Sequence, residues 1–338
     1  MPISTKHSLS WSQWHLRLHK KLLLQKDLIP NGSSILLSVS GGQDSMVLLK
    51  LMLDLRRLHH WKMHIWHGDH GWHSQSETIA KELKDWCTKE KLDFFCNRAN
   101  QEETRDEAKA RDWRYKCLLS ATLLISKKNQ SLPCEYVLTG HTSSDRAETL
   151  LLNLARGSGF AGISSLPEAR DLDETVKLIR PLLIFSRNET AEICQQLKLP
   201  IWLDPSNKNL NFSRNKVRQK IIPVLEELHP GCSTRIASLS ERFAQHKNDQ
   251  QAMATLVIET FKDSEGLCRV SLSKLPLTAR ATVLTVWLKQ HGVPVISTKQ
   301  LEEICQKIEK KNPPGCCHLA NKWKILWVRK SIQLVKLS

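Results

Sequence analysis

The polar and apolar positions along the chain change period several times, and the changes set out a run of alternating elements. Ile35-Leu36-Leu37-Ser38-Val39 is a short apolar run, the pattern of a strand buried on both faces, and it stops at Ser-Gly-Gly. Met46, Val47, Leu49 and Leu53 then recur at helical spacing over Asp44 to Arg57. Lys62 to His67 returns to strand character. Ser74-Gln-Ser-Glu77 has capping-box spacing and predicts a helix ending near Lys91, and Asp93 to Cys96 predicts a third strand. Thr104-Arg-Asp-Glu107 repeats the capping-box spacing and predicts a long helix to about Ser126. Glu135 to Thr139 predicts a fourth strand, followed by a helix from Ser144 to Arg156. Strands and helices thus alternate over residues 35–156, which predicts an α/β class, a doubly wound parallel sheet with helices on both faces. Such sheets bind ligands beyond the carboxyl ends of their strands, here residues 40–45, 67–73 and 141–148.

Outside that stretch the pattern is more varied. Trp11, Trp14, Leu18 and Leu22 share one helix face and predict a structural N-terminal helix. The first 26 residues carry five Lys/Arg and no acid, so an organelle-targeting role is the lesser reading of the same segment. Residues 177–184 read as extended. Ser186-Arg-Asn-Glu189 is a third capping box, opening a helix to about Leu199. A long helix ends near Glu227, and His229-Pro-Gly marks a boundary between a larger N-terminal domain, residues 1–228, and a smaller accessory domain, residues 229–338. In the latter, residues 233–262 read as a polar helix, 270–293 as mixed, and the last forty as strand-rich.

Composition narrows the partners. The 338 residues hold 50 Lys+Arg against 34 Asp+Glu, a formal charge of +16, so a polyanion is expected, nucleic acid first. The charge is local: Lys208, Arg214, Lys216, Arg218 and Lys220 fall within 208–220 with no acid, and nine Lys/Arg against three Glu follow Val293. The longest uncharged stretch near the middle, Cys117 to Ser126, is too short to span a bilayer, so no membrane partner is expected. Ten cysteines at irregular spacing contain no C-x-x-C, which leaves zinc ribbons and dithiol redox motifs without support and suits free thiols in a reducing cytoplasm, or in a plastid stroma.

The clearest chemical signal is Ser40-Gly41-Gly42-Gln43-Asp44-Ser45 between a strand and a helix N-terminus. Two glycines let the backbone curl with its N–H groups inward, and the helix adds its positive end, which together cradle phosphate or pyrophosphate. A carboxylate beside phosphate is repulsive unless a metal intervenes, so Asp44 is expected to serve Mg²⁺. Gly157-Ser-Gly159-Phe-Ala-Gly162 matches a dinucleotide fingerprint, but it follows a helix rather than a strand; it reads as a glycine loop after a helix end, a candidate lid. Asp145 and Glu148, i and i+3, place two carboxylates on one helix face, suited to holding an ammonium group, binding Mg²⁺ or taking a proton; a solvated acid pair at a helix start is the plain alternative. His67, Asp69, His70 and His73 suggest a metal cluster, but along one strand their side chains diverge, so structural or nucleotide-binding roles are expected.

The Ser40-Gly-Gly-Gln-Asp-Ser45 loop resembles the PP-loop of N-type ATP pyrophosphatases, enzymes that adenylate a carbonyl oxygen and release pyrophosphate. Gly140-His-Thr-Ser-Ser-Asp-Arg-Ala-Glu-Thr149, Leu154 to Gly162, Glu107 to Tyr115, Ile179-Arg-Pro-Leu-Leu183, Asp204-Pro-Ser-Asn207, Phe212 to Arg218 and His67-Gly-Asp-His-Gly71 together resemble the tRNA(Ile)-lysidine synthase family, in order over about residues 30–230. The resemblance implies a Rossmann-like sheet of the adenine nucleotide alpha-hydrolase type, ATP and Mg²⁺ as cofactors, and a CAU-anticodon isoleucine tRNA and L-lysine as partners, with a homodimer left open. It implies adenylation of the wobble cytidine at C2 and displacement of AMP by the lysine ε-amine. Carried over as active-site positions are Arg111, His141, Asp145 and Glu148; Arg111 would stabilise charge on the α-phosphate. The family shows two aspartates and then glutamine where this chain has Ser144-Asp145-Arg146, and arginine where it has His73. Arg214, Lys216, Arg218 and Lys220 are expected to contact tRNA phosphates, and Trp323 and Trp327 to supply stacking surfaces. A tRNA thiolase of the same fold is the competing enzyme; it needs a catalytic cysteine or an iron–sulfur site.

Overall fold

The computed structural model describes residues 11–71, 76–100, 102–158, 160–164, 166–202, 210, 212–294, 296–309 and 311–337, without the side chains of Glu107, Phe160 and Ala161. His73, Ser74, Gly159, Asp204 to Lys208 and the Glu107 carboxylate therefore lie outside the description. The chain divides into two compact units, Met1–Arg242 and Phe243–Ser338. That division falls within a helix, beyond the His229-Pro-Gly turn read as a boundary.

In the first unit the apolar runs become strands β1 (Ser34–Ser38), β2 (Lys62–Asp69), β3 (Asp93–Arg98) and β4 (Cys134–Thr139), all parallel, with β5 (Ala169–Asp171) antiparallel to β6 (Lys177–Ile179) at one edge. The order is β3-β2-β1-β4-β6-β5. The chain winds outward from β1 to β3, then returns to lay β4 against the other side of β1. The loops after β1 and β4 therefore diverge from one crevice, the place where such sheets bind ligands. Ile35, Leu36 and Leu37 are wholly buried because both sheet faces are covered.

The covering helices are α1 (Gln13–Leu24), α2 (Gln43–His59), α3 (Ser76–Lys89), α4 (Glu107–Lys128), α5 (Ser143–Ala155), the single turn α6 (Phe160–Ile163) and α7 (Arg187–Gln196). Helix α1 buries Trp14, Leu18 and Leu22 as its pattern predicts, while Trp11 stays exposed and stacks on His15. The Ser186 capping box forms as read: Ser186 Oγ accepts from the Glu189 N–H, and the Glu189 carboxylate accepts from that of Ser186 at 2.7 Å. Of the Thr104 box, the Glu107 carboxylate lies outside the described residues. Asp106 caps α4, accepting from the Lys109 N–H at 2.9 Å, and the Thr104 hydroxyl donates to backbone carbonyls upstream. Residues 177–184 are extended only to Ile179; Pro181 then opens a 3₁₀ turn, Pro181–Ile184, its fixed φ suiting a helical first position. Of the glycine loop, Gly157 ends α5 at φ +67°, and the Gly162 carbonyl accepts from Asn153.

Residues 213–228 are helical throughout: α8 (Ser213–Lys216), a π-helical stretch (Val217–Ile221) and α9 (Ile222–Leu228). Helix α10 (Cys232–Phe261) follows.

The second unit holds β7 (Leu267–Cys268), α11 (Arg269–Ser273), α12 (Leu277–Gln290), α13 (Thr298–Lys307), β8 (Gly315–His318), β9 (Trp323–Trp327) and β10 (Ser331–Lys336). Its antiparallel sheet runs β7-β10-β9-β8. The mixed stretch is thus mainly helical, and α13, capped by Ser297, interrupts the segment read as strand-rich. Trp327 is buried in one core cluster with Ile325, Ile332 and Trp287, and its indole N–H donates to the Pro313 carbonyl, so it presents no face for a nucleic-acid base. Trp323 is half-buried beneath the Lys336 ammonium.

Candidate active site

The crevice between the β1 and β4 loops is a cavity of about 410 Å³ within the first unit. Its floor is the Ser40–Ser45 loop. Gly41 adopts φ +84°, open to glycine without strain, and a side chain there would press on Trp202 at 3.1 Å. The two serines tie the loop: Ser45 Oγ donates to the Gly42 carbonyl at 2.8 Å and accepts from the Ser40 N–H at 3.2 Å. The β4 loop meets this floor at Gly140, where an added Cβ would lie 3.0 Å from backbone atoms of Asp44 and Ser45. Only glycine allows the two loops to approach this closely.

Asp44 is not free to face phosphate alone. Its carboxylate accepts from Thr190 Oγ1 at 2.5 Å and from Arg187 at 3.1 Å, both on α7. Burial pushes its carboxyl pKa up, Arg187 pulls it down, and the charge of Asp145 pushes it up again, leaving it above the ordinary value. Gln43 turns to α7 as well, donating to the Arg187 carbonyl and to Thr190.

Asp145 and Glu148 lie together on the first turns of α5, both buried. Asp145 accepts from the Thr142 N–H at 2.7 Å and from its hydroxyl at 2.9 Å, which fixes the helix start. Two arginines face the acids. Arg214 reaches Asp145 at 3.0 Å and Glu148 at 2.9 Å; Arg218 reaches Asp145 at 3.3 Å and Glu148 at 2.6 Å. Burial raises the Asp145 pKa, but Arg214, His141, the Thr142 N–H and Arg218 outweigh it, so the group is held well below the usual carboxylate range. Arg214 and Arg218, expected along a tRNA backbone, thus face the cavity and its acids, half-buried, and Asn215 between them is buried. Lys216 and Lys220, from the same basic run, are exposed. The π-helical stretch lies within this segment, and such widened turns recur at functional sites.

His141 lines the cavity with Nδ1 2.9 Å from Thr139 Oγ1. Burial lowers its pKa to about 3, against the pull of Asp145 and with Arg180, Arg214 and Arg114 adding to the fall, so the ring is neutral in ordinary buffers. Arg111 does not line the cavity. It is exposed, its guanidinium 5.9 Å from the Tyr115 ring, and Arg114 one turn on forms the wall beside His70. His67 is buried and faces the Val39 carbonyl, and Asp69 accepts from the Gly71 N–H. The described residues hold no group of three or more metal-ligating side chains.

Sequence reasoning passed over Arg187, Thr190, Arg114 and Trp202. Arg187 and Thr190 carry a signal in hindsight: they flank the Ser186 capping box, whose helix packs on α2.

These features have relatives. Residues 15–225 match the PP-loop domain family, and residues 267–332 match the TilS substrate binding domain family. A tRNA(Ile)-lysidine synthase of Prochlorococcus marinus is 52% identical over 99% of this chain and 100% of its own length. The chain belongs to the tRNA(Ile)-lysidine synthase family. The family members of Parasynechococcus marenigrum and Nostoc are 44% and 34% identical, covering 97% and 89% of this chain and 96% and 91% of their own. A solved U34-tRNA thiolase from Methanococcus maripaludis shares the fold, with 18% identity, a TM-score of 0.54, and coverage of 69% of this chain and 79% of that one. As in its PP-loop family, the first unit of this lysidine synthase relative binds ATP. No described helix is long and apolar enough to cross a membrane.

Proposed function

We propose that this chain joins the ε-amine of free lysine to C2 of the wobble cytidine in a CAU-anticodon isoleucine tRNA. The cytidine O2 attacks the α-phosphate of ATP and pyrophosphate leaves. The lysine nitrogen then attacks C2, the C2–O bond breaks, AMP departs with that oxygen, and the nitrogen gives up a proton. The observation that best supports this reading is the meeting of a phosphate cradle with a buried acid pair in one cavity, in a chain of this family.

The backbone N–H groups of the Ser40–Ser45 loop and the α2 N-terminus suit the pyrophosphate end of ATP. Asp145 and Glu148 are the groups suited to hold the lysine ammonium, Asp145 as a fixed charge rather than as a base, which leaves Glu148 as the carboxylate to take the proton. Arg214 and Arg218 orient those carboxylates and offer charge to phosphate oxygens. His141, neutral, orients by hydrogen bonding rather than by charge. A Mg²⁺ ion would be held by Asp44 and Asp145, the two carboxylates that line the cavity. When bound beside phosphates it would neutralise their negative charge. The exposed Lys216 and Lys220 remain suited to tRNA phosphates.

The thiolase reading is weaker because no cysteine lines the cavity among the described residues. The test is incubation of the chain with ATP–Mg²⁺, the tRNA transcript and labelled lysine. Label in the tRNA with stoichiometric AMP supports ligation; pyrophosphate release that depends on a sulfur donor and leaves lysine untouched refutes it.

A further inference from the structure

Tyr115 and three arginines stand on the flank of the cavity and take no part in the chemistry above. Arg111 and Tyr115 lie one turn apart on α4, with the Arg111 guanidinium carbon 5.9 Å from the ring centre. Arg170, from β5, lies over the same ring at 4.6 Å. Arg180, between β6 and the 3₁₀ turn, is 3% exposed; one of its terminal nitrogens donates to the Pro167 carbonyl at 2.6 Å, and its Nε has no partner among the described residues. None of these three arginines forms an ion pair among the described residues, although Asp112 and Asp171 are their neighbours in sequence. Burial pushes the Tyr115 phenol up, but hydrogen bonding and charge from Arg170, with Arg180 and Arg111 behind it, hold it below its ordinary value.

Three guanidinium groups gathered at one phenol repel one another, a cost that ring contact and hydrogen bonding with Tyr115 offset only in part. An anion removes it. Arg111 and Arg170 do not line the ATP cavity, so the triphosphate is not that anion. The patch nevertheless adjoins it: Arg114, on the same face of α4 as Arg111, lines the cavity, and the charge of Arg180 acts on His141.

We propose that Arg111, Arg170 and Arg180, set around Tyr115, bind the sugar-phosphate backbone of the RNA substrate next to the nucleotide undergoing reaction. The inference rests on the tRNA reading above. Guanidinium forks match phosphate oxygens in pairs, and an aromatic ring beside them accepts a sugar or an unstacked base. Backbone contacts of this kind fix register rather than read sequence, so they would seat the loop while the cavity selects the base.

The test uses the full chain with Arg170→Ala, Arg111→Ala and the pair. Transcript affinity is measured across a salt series, and the KM for tRNA is compared with that for ATP. Each substitution lowers the steepness of log affinity against log salt by about one, and the pair weakens binding on the order of tenfold. ATP affinity stays as in the wild type, and Arg170→Lys, which keeps the charge, restores the salt slope. An unchanged salt slope and tRNA affinity overturns the proposal, as does a loss that falls on ATP. Failure of the wild-type chain to bind the transcript at all would instead overturn the tRNA reading and take this site with it.

Discussion

Glu148→Gln exposes what the paired acids and arginines contribute. The carboxylate is 1% exposed and accepts three bonds, at 2.9 Å from Arg214 and at 2.6 and 2.8 Å from Arg218. Glutamine keeps the shape, but only one of its terminal atoms accepts; the other turns N–H groups toward guanidinium N–H groups. Breaking a buried ion pair by removing one partner costs about 3–5 kcal/mol. The arginine side chains retain 25% and 21% exposure, so water recovers part of that loss and the low end, about 3 kcal/mol, applies. Amide hydrogen exchange on the full chain reads this locally. Segments 143–155 and 213–228 should exchange roughly a hundredfold faster, since each 1.4 kcal/mol is tenfold. Arg218→Met and the double variant complete a cycle, with a coupling energy of about 1–3 kcal/mol. Exchange within threefold of wild type, or strictly additive effects, would refute the cluster as a joint stabiliser.

Three further outcomes are expected. Gly140→Ala forces the β4 loop off the backbone of Asp44 and Ser45, which lie 3.0 Å from the added carbon, so the KM for ATP rises at least tenfold while the second unit keeps its exchange protection. His141 titrates near 6.5 when unfolded and at about 3 when folded, so its contribution to stability is complete above pH 6.5 and is lost as pH falls from there toward 3. Unfolding midpoints of His141→Gln should therefore show a shallower decline than wild type between pH 6.5 and 4; parallel profiles would contradict this. Affinity for the tRNA transcript should fall steeply with salt, and Lys216→Ala with Lys220→Ala should flatten that dependence by about two in log–log slope, checked by anisotropy titration.

The sheet was readable because short extended segments, of which Ile35 to Leu37 is the plainest, alternate regularly with longer segments of helical period between them. The phosphate loop was readable because the glycine geometry it needs is local. That Arg214 and Arg218 meet Glu148 was not legible for a physical reason: a basic run looks the same in sequence whether it faces solvent or a buried carboxylate 66 and 70 residues earlier. Arg111, carried over by resemblance, stands one turn before Arg114, the arginine of that helix that lines the cavity, a difference that only the helix's placement shows. Thr104 has the spacing of a capping box, but Asp106, a stronger cap two residues on, starts the helix. Trp327 illustrates the same limit in the second unit, since an aromatic among cations can serve a core or a ligand equally well.

The Asp145–Glu148–Arg214–Arg218 cluster is electrically balanced before any substrate arrives, two charges of each sign. An ammonium group that settles on those acids competes with the guanidinium groups for the same oxygens, and where it displaces one the event is an exchange of cations rather than the capture of one. Exchange leaves the local charge unchanged, and its free energy has little dependence on ionic strength. It also sends a freed arginine outward, toward phosphate oxygens that have just gained charge. One enzyme would then carry two electrostatic regimes, salt-sensitive where it grips the nucleic acid and salt-indifferent where it admits the amine.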